Sequence, residues 1–116
     1  MRHSPRKLYE DILRAIDEVQ AFCRHRTFEE FRRDRQLQLV VERELEIVGE
    51  ALSRIRREYP ALADGITDAD KIIGLRNVLA HGYDIIEYEI LWDVVENKLS
   101  SLQREVERLL AQEQEN

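Results

Sequence analysis

Apolar and charged positions alternate at helical period along nearly the whole chain. Leu8, Ile12, Ala15, Ile16, Val19, Phe22 and Cys23 recur at three- and four-residue steps and predict a first helix from about Arg6 to His25. Ser4-Pro5 suits its start, with serine as N-cap and proline at the first helical position. Thr27-Phe28-Glu29-Glu30 has the spacing of a capping box and predicts a short helical turn through Phe31. Asp34 is placed to cap a long second helix ending near Arg57. Its stripe is Leu37, Val41, Leu45, Val48, Leu52 and Ile55, widened by Val40, Ile47 and Ala51. Gly49 falls inside that helix at a cost of about 1 kcal/mol relative to alanine. A glycine tolerated there points to a second backbone packing close, a partner helix being one candidate.

Tyr59-Pro60 ends the second helix, because a residue before proline avoids helical dihedrals. Ala61 to Thr67 reads as a loop, with a turn at Gly65. Thr67 or Asp68 is placed to cap a third helix through Ala80 or His81, and Gly82 fits the position just past its end. Its apolar residues are Ile72, Ile73, Leu75, Val78 and Leu79. A last helix is expected from near Ile86 to about Leu110, with the stripe Leu91, Val95, Leu99, Leu102, Val106 and Leu109. The polar Gln112 to Asn116 is expected to fray. These elements predict an all-α bundle of four to five helices in a single domain over residues 1–116. The wide stripes of the second and last helices leave surplus apolar face, so a homodimer is expected.

Composition narrows the picture. A chain of 116 residues forms one domain with a modest core, and 4 Gly and 2 Pro are few for a strand-rich fold. The single cysteine, Cys23, excludes an intramolecular disulfide or a cysteine-rich metal site and fits a reducing cytoplasm. Met1 to Lys7 lacks the pattern of a signal peptide, and no apolar run is long enough to span a membrane, so a cytoplasmic location is expected. The net charge of -6 argues against a tight, non-specific nucleic-acid binder, but leaves room for an enzyme that touches RNA through a local basic surface. Arg24, Arg26, Arg32, Arg33 and Arg35 cluster against Glu29, Glu30 and Asp34, and Arg54, Arg56 and Arg57 form a second cluster. Both read as solvated helix surface.

The chemistry concentrates in Arg76-Asn77-Val78-Leu79-Ala80-His81-Gly82-Tyr83. Cleaving a phosphodiester without a metal needs a base for the 2′-hydroxyl, charge stabilisation at phosphorus and an acid for the leaving 5′-oxygen. Histidine suits proton transfer near neutrality. Arginine is permanently cationic and forks onto phosphate oxygens. Asn77 is suited to hold the imidazole or the phosphate, and Tyr83 to donate a hydrogen bond or stack on a base. At about 100° per residue, Asn77 and His81 share a helix face, whereas Arg76 and His81 project about 140° apart. Either the helix loosens at its last turn, or the site combines residues from two protomers; the second option agrees with the expected dimer. The bland alternative is a helix end at which His81 suits the dipole and Arg76 meets a carboxylate. His3, His25 and His81 lack zinc-ligand spacing, and there is no phosphate-cradling glycine loop, so neither a metal nor another cofactor is expected. Glu87 and Glu89 read as structural acids at a helix start.

The stretch also resembles the Arg-x-x-x-x-His-x-Tyr signature of HepT-like ribonuclease toxins of the HEPN superfamily. Leu45-Glu46-Ile47-Val48-Gly49-Glu50-Ala51 is similar to that family's second-helix segment, Ile72 to Tyr83 to its central signature, and Leu91-Trp92 with the later leucines to its last helix. The resemblance implies a dimerising HEPN-type bundle with the signature at the protomer interface. It implies a metal-independent RNA endonuclease, cutting tRNA or mRNA, that is the toxin of a type VII (HepT/MNT) toxin–antitoxin pair. The implied partner is an MNT-type nucleotidyltransferase antitoxin that adds AMP to the motif tyrosine. On this chain Arg76 and His81 become catalytic, Asn77 supports them and Tyr83 is the modification target, with Tyr88 a nearby decoy. One departure is Ala69-Asp70, where family members often carry a tryptophan. The competing expectations are a non-catalytic HEPN module that partners a nucleotidyltransferase and presents its substrate, and a purely structural helical dimer.

Overall fold

A long central helix organises the domain. The computed structural model describes residues 4–81 and 87–115. The helices are α1 (Arg6–Cys23), α2 (Phe28–Arg33), α3 (Arg35–Glu58), α4 (Pro60–Ala63), α5 (Ala69–His81), α6 (Tyr88–Asp93) and α7 (Leu99–Glu115). A π-helical turn, Val94–Lys98, joins α6 to α7. No strand occurs among the described residues. The all-α bundle expected from the periodicity is therefore present, with α2 as the short turn expected after Thr27 and α4 as an additional one.

Each boundary has a local cause. Ser4 Oγ accepts from the Arg6 N–H at 3.1 Å, while Pro5 occupies the N-cap position, so the serine caps from one residue further out than expected. α1 ends at Cys23, not His25; His25 adopts a positive φ of 63°, the left-handed conformation that terminates helices. The capping box at Thr27 is formed in both directions, with Glu30 N–H donating to Thr27 Oγ1 and Thr27 N–H to Glu30 Oε1. Asp34 caps α3 by accepting from the Leu37 N–H at 3.0 Å. Gln38, the one buried polar side chain among the described residues, donates to the carbonyls of Phe31 and Arg32 and so satisfies the end of α2.

α3 is flanked by α1 and α5, and α7 packs on α1. Both flanking helices run antiparallel to α3, since Leu8 lies beside Arg54 and Glu18 beside Glu44, while Asp70 meets Arg56 and Arg76 crosses Gly49. The antiparallel pairing of α1 with α7 shows in Ser4 bonding Glu113 and Gln20 bonding Gln103. Ile12, Ile16 and Val19 of α1 meet Val41, Leu45, Val48 and Ile55 of α3, Ile72 of α5 and Leu99 and Val106 of α7 in a core from which water is excluded. The ring of Phe31 on α2 stacks against Trp92 and meets Tyr88 edge-on, closing one end.

Several expectations are corrected. Phe22 is 54% exposed, because it lies at the edge of the α1 stripe in the last turn. Pro60 starts a helical turn, α4, inside the stretch expected to be loop, since its fixed φ suits the first helical position. Thr67 is engaged by Glu105 of α7 through both its N–H and its hydroxyl, which ties this connection to the bundle. The π-helical turn inserts an extra residue per turn, so Val94 is buried where uninterrupted periodicity selected Val95. The polar C-terminus remains helical to Glu115. Gly82, Tyr83 and the expected start of the last helix at Ile86 lie outside the described residues.

The helix-interior glycine has a specific cause. A Cβ at Gly49 would collide with Cβ of Arg76, lie 2.8 Å from its Cγ and 3.2 Å from the carbonyl oxygen of Ile72. The close second backbone is thus α5 of the same chain. Gly49→Ala would gain about 1 kcal/mol of helix propensity and lose about 1–3 kcal/mol through overpacking. Because one neighbour is a backbone carbonyl that cannot rotate away, net destabilisation is expected. A urea midpoint at or above that of wild type would contradict this packing account.

The α1–α3 seam carries a pH-dependent element. Burial, then hydrogen bonding with and repulsion from Glu18, push the Glu44 carboxyl up to about 7. A carboxyl whose folded pKa exceeds its unfolded value binds an extra proton in the folded state, so its contribution weakens as pH rises from about 4.5 to about 7. Glu44→Gln should therefore gain stability over wild type progressively across that window, read as a Tm difference that widens with pH. A difference independent of pH would refute it.

Candidate active site

α5 packs chiefly on α3. Ile72, Ile73 and Leu79 are buried, whereas Gly74, Asn77, Val78, Ala80 and His81 are exposed. Arg56 on α3 pairs with Asp70 in the first turn of α5, and Lys71 pairs with Asp93 at 3.6 Å, so α5 is tied to both α3 and α6. These surface pairs orient the helix more than they stabilise it.

Arg76 leaves α5 on the side that meets α3. Its stem crosses Gly49, and one guanidinium nitrogen reaches Oε2 of Glu50 at 2.8 Å. The other terminal nitrogen donates to Oδ1 of Asn77 at 3.2 Å. The guanidinium has five N–H donors, so two acceptors do not exhaust it. With its side chain 32% exposed, Arg76 is oriented yet open to an incoming anion. It borders a cavity of about 230 Å³ shared with Leu8, Asp11, Arg43, Glu50 and Arg54.

Asn77 is exposed and bound to Arg76. His81 is the last residue of α5, exposed and one turn beyond Asn77, where a cation would suit the negative end of the helix. The helix stays regular through His81. The loosened last turn that would bring Arg76 and His81 together within one chain is therefore absent, and helical geometry keeps them about 140° apart. Tyr83 lies outside the described residues. The structure thus joins Arg76 to Asn77 and leaves His81 on the outward face.

Glu50 escaped the sequence reading, which treated it as part of a helical frame. The signal was present: it follows the glycine whose position demanded a close neighbour, so its carboxylate was bound to lie near whatever crossed that glycine. The cluster around α2 is ion-paired surface, as expected: Glu29 pairs with Arg32 and Arg33, Asp34 with Arg26 and Glu42 with Arg35. Burial pushes the Cys23 thiol up to about 11, which makes it a poor nucleophile. Among the described residues no group of three or more His, Cys, Asp or Glu is placed to hold a metal ion. Among the same residues no helix is long and apolar enough to cross a membrane.

Comparison with known proteins places the whole chain rather than the individual residues of this constellation. A family profile described as Ribonuclease HepT-like matches residues 12–109. The chain is 33% identical over 109 residues to a probable ribonuclease HepT of Thermococcus cleftensis, covering 94% of this chain and 98% of that protein. It is 34% identical over 104 residues to a candidate RNase of Methanocaldococcus jannaschii, covering 86% and 82% respectively. A candidate RNase of Caldanaerobacter subterraneus is 28% identical over 110 residues, 95% of this chain. No solved structure matches. With the family profile spanning all but the ends of the bundle and a relative aligned over nearly its whole length, the chain belongs to the HepT-like ribonuclease family.

Proposed function

We propose that this chain is a metal-independent RNA endonuclease that acts as a homodimer, the toxin of a type VII toxin–antitoxin pair. The observation that carries the reading is the Arg76 guanidinium, one-third exposed and held by Glu50 and Asn77 on a helix that ends in an exposed His81. Arg76 neutralises the charge that builds on the phosphate as the 2′-oxygen attacks phosphorus and the bond to the 5′-oxygen breaks. Histidine takes the 2′-hydroxyl proton and protonates the leaving 5′-oxygen, which leaves a cyclic phosphate and a free 5′-hydroxyl. Asn77 and Glu50 orient Arg76.

One chain points Arg76 and His81 in different directions, so the working site pairs Arg76 of one protomer with His81 of the other. The outward face of α5, with Asn77, Val78 and His81, is the surface through which the copies meet. The cytoplasmic partner is an MNT-type nucleotidyltransferase that silences the toxin by adding AMP to Tyr83. The substrate is tRNA or mRNA. A second reading, a non-catalytic module presenting a substrate to that nucleotidyltransferase, draws support from the Glu50 pair, which would give Arg76 a structural role, and from the net charge of -6.

In excess chelator the unmodified protein should cleave RNA to cyclic-phosphate ends, and His81→Ala should lose at least a hundredfold in rate. No cleavage by protein shown by mass spectrometry to lack AMP selects the module. A mixture of Arg76→Ala and His81→Ala proteins, each inactive alone, should recover activity, because mixed dimers contain one complete site. No recovery on mixing, with mixed dimers demonstrated, would place both residues in one protomer. Glu50→Gln should lower kcat about tenfold by loosening Arg76 while changing stability by less than about 1 kcal/mol; an unchanged kcat would remove Glu50 from the site.

A further inference from the structure

The second arginine cluster, read from sequence as plain solvated surface, does not behave as one unit. Arg56 is paired with Asp70. Arg54 and Arg57 are exposed and make no ion pair among the described residues. They lie three residues apart on α3, hence on one face, and Arg54 is one helical turn beyond Glu50, the residue that holds Arg76. From the level of Glu50, Arg54 and Arg57 lie about 6 and about 10.5 Å along the helix axis.

Two depressions meet at Arg54. The cavity beside Arg76 includes Arg43 and Arg54. A larger one, about 900 Å³, continues from Arg54 past Arg57 to Arg6 and Lys7 at the start of α1. The groove therefore runs along the α1–α3 seam from the proposed catalytic arginine to the first turn of α1. Carboxylates line it too, but Asp11 is taken by Lys7, Glu46 by Arg43 and Glu50 by Arg76. Arg6, Arg54 and Arg57 remain against Glu10 and Glu58. α1 begins with two cations and no acid in its first turn, although its N-terminus carries the positive end of the helix dipole. That arrangement is unfavourable for the isolated helix and favours an anion there.

We propose that this groove is the track for the RNA strand flanking the scissile phosphate, with Arg54 and Arg57 contacting successive phosphates and Arg6 at the end of α1 a further one. This rests on the nuclease reading of Arg76 and names the residues that hold its substrate. Interleaved carboxylates keep the track weak and salt-sensitive, which lets an acidic protein bind RNA locally and release product.

The test uses full-length protein carrying His81→Ala, so that RNA stays intact, and a dye-labelled single-stranded RNA decamer followed by anisotropy over a range of salt. Adding Arg54→Ala with Arg57→Ala should weaken binding on the order of tenfold and flatten the log Kd against log salt slope by about 0.7 per arginine removed. Arg104→Ala with Arg108→Ala, the same charge change on α7, should leave both nearly unchanged. In the active protein the Arg54, Arg57 pair should raise KM for the decamer and leave cleavage of a dinucleotide intact. Equal effects of the two pairs, no effect of either, or an altered oligomeric state in the Arg54, Arg57 variant overturns the track. If wild type binds the decamer through Arg54 and Arg57 but cuts nothing, the track stands and the nuclease reading falls. Cleavage of both RNAs with unchanged decamer KM and affinity sinks the track alone.

Discussion

The close approach of α5 to α3 at Gly49 is the contact on which the site depends. Only a residue without Cβ lets the Arg76 stem cross α3 at that height, beside the Ile72 carbonyl. That crossing delivers the guanidinium to Glu50, and the adjacent Asn77 closes on it from α5. A stiff core residue, Ile72, and a polar, a third-exposed one, Arg76, thus come from neighbouring turns of one helix. The first anchors α5 on the core; the second stays at the rim with its charge available. Burying Arg76 fully would have cost several kcal/mol in desolvation, and leaving it in open solvent would have left it unoriented.

The division of labour along α3 follows from its place in the bundle. Val41, Val48, Leu52 and Ile55 belong to the core, Gly49 faces α5, and Ala51 and Ile47 lie beside Leu8 and Asp11 of α1. One water-facing stripe of α3 carries Arg43, Glu46, Glu50, Arg54 and Arg57. At helical spacing these five charges share one face of α3, which runs between its contacts with α1 and α5. The two glutamates on that face hold down its net attraction for nucleic acid. This is how a chain with charge -6 can present cations locally without becoming a general RNA binder.

Family membership and geometry answer different questions here. The family places ribonuclease chemistry on a bundle of this length and order. The geometry supplies what the family description does not: Arg76 is held by a glutamate from another helix, and regular helix through His81 turns the two signature side chains apart. A helix that stays regular to its end turns the two groups about 140° apart, and that is the reason for proposing a site divided between protomers.

Much of the bundle was legible in the residues. Thr27 with Glu30 and Asp34 announced the starts of α2 and α3, because caps are local chemistry between side chains and backbone three residues away. The stripes of α1 and α3 announced most of the core, because burial imposes the helical period. The signature was equally visible, since arginine, asparagine, histidine and tyrosine carry their chemistry in their identity. What the sequence left undecided were relations between segments. It called for a close neighbour at Gly49 but not for α5. It listed Glu50 without its partner, spaced Val95 as core without the π-helical turn that buries Val94, and set Arg54 beside Arg56 without showing that only one finds an aspartate. Periodicity and capping act within a few residues of chain, whereas these outcomes depend on which surfaces meet once the helices pack, and only the tertiary structure decides that.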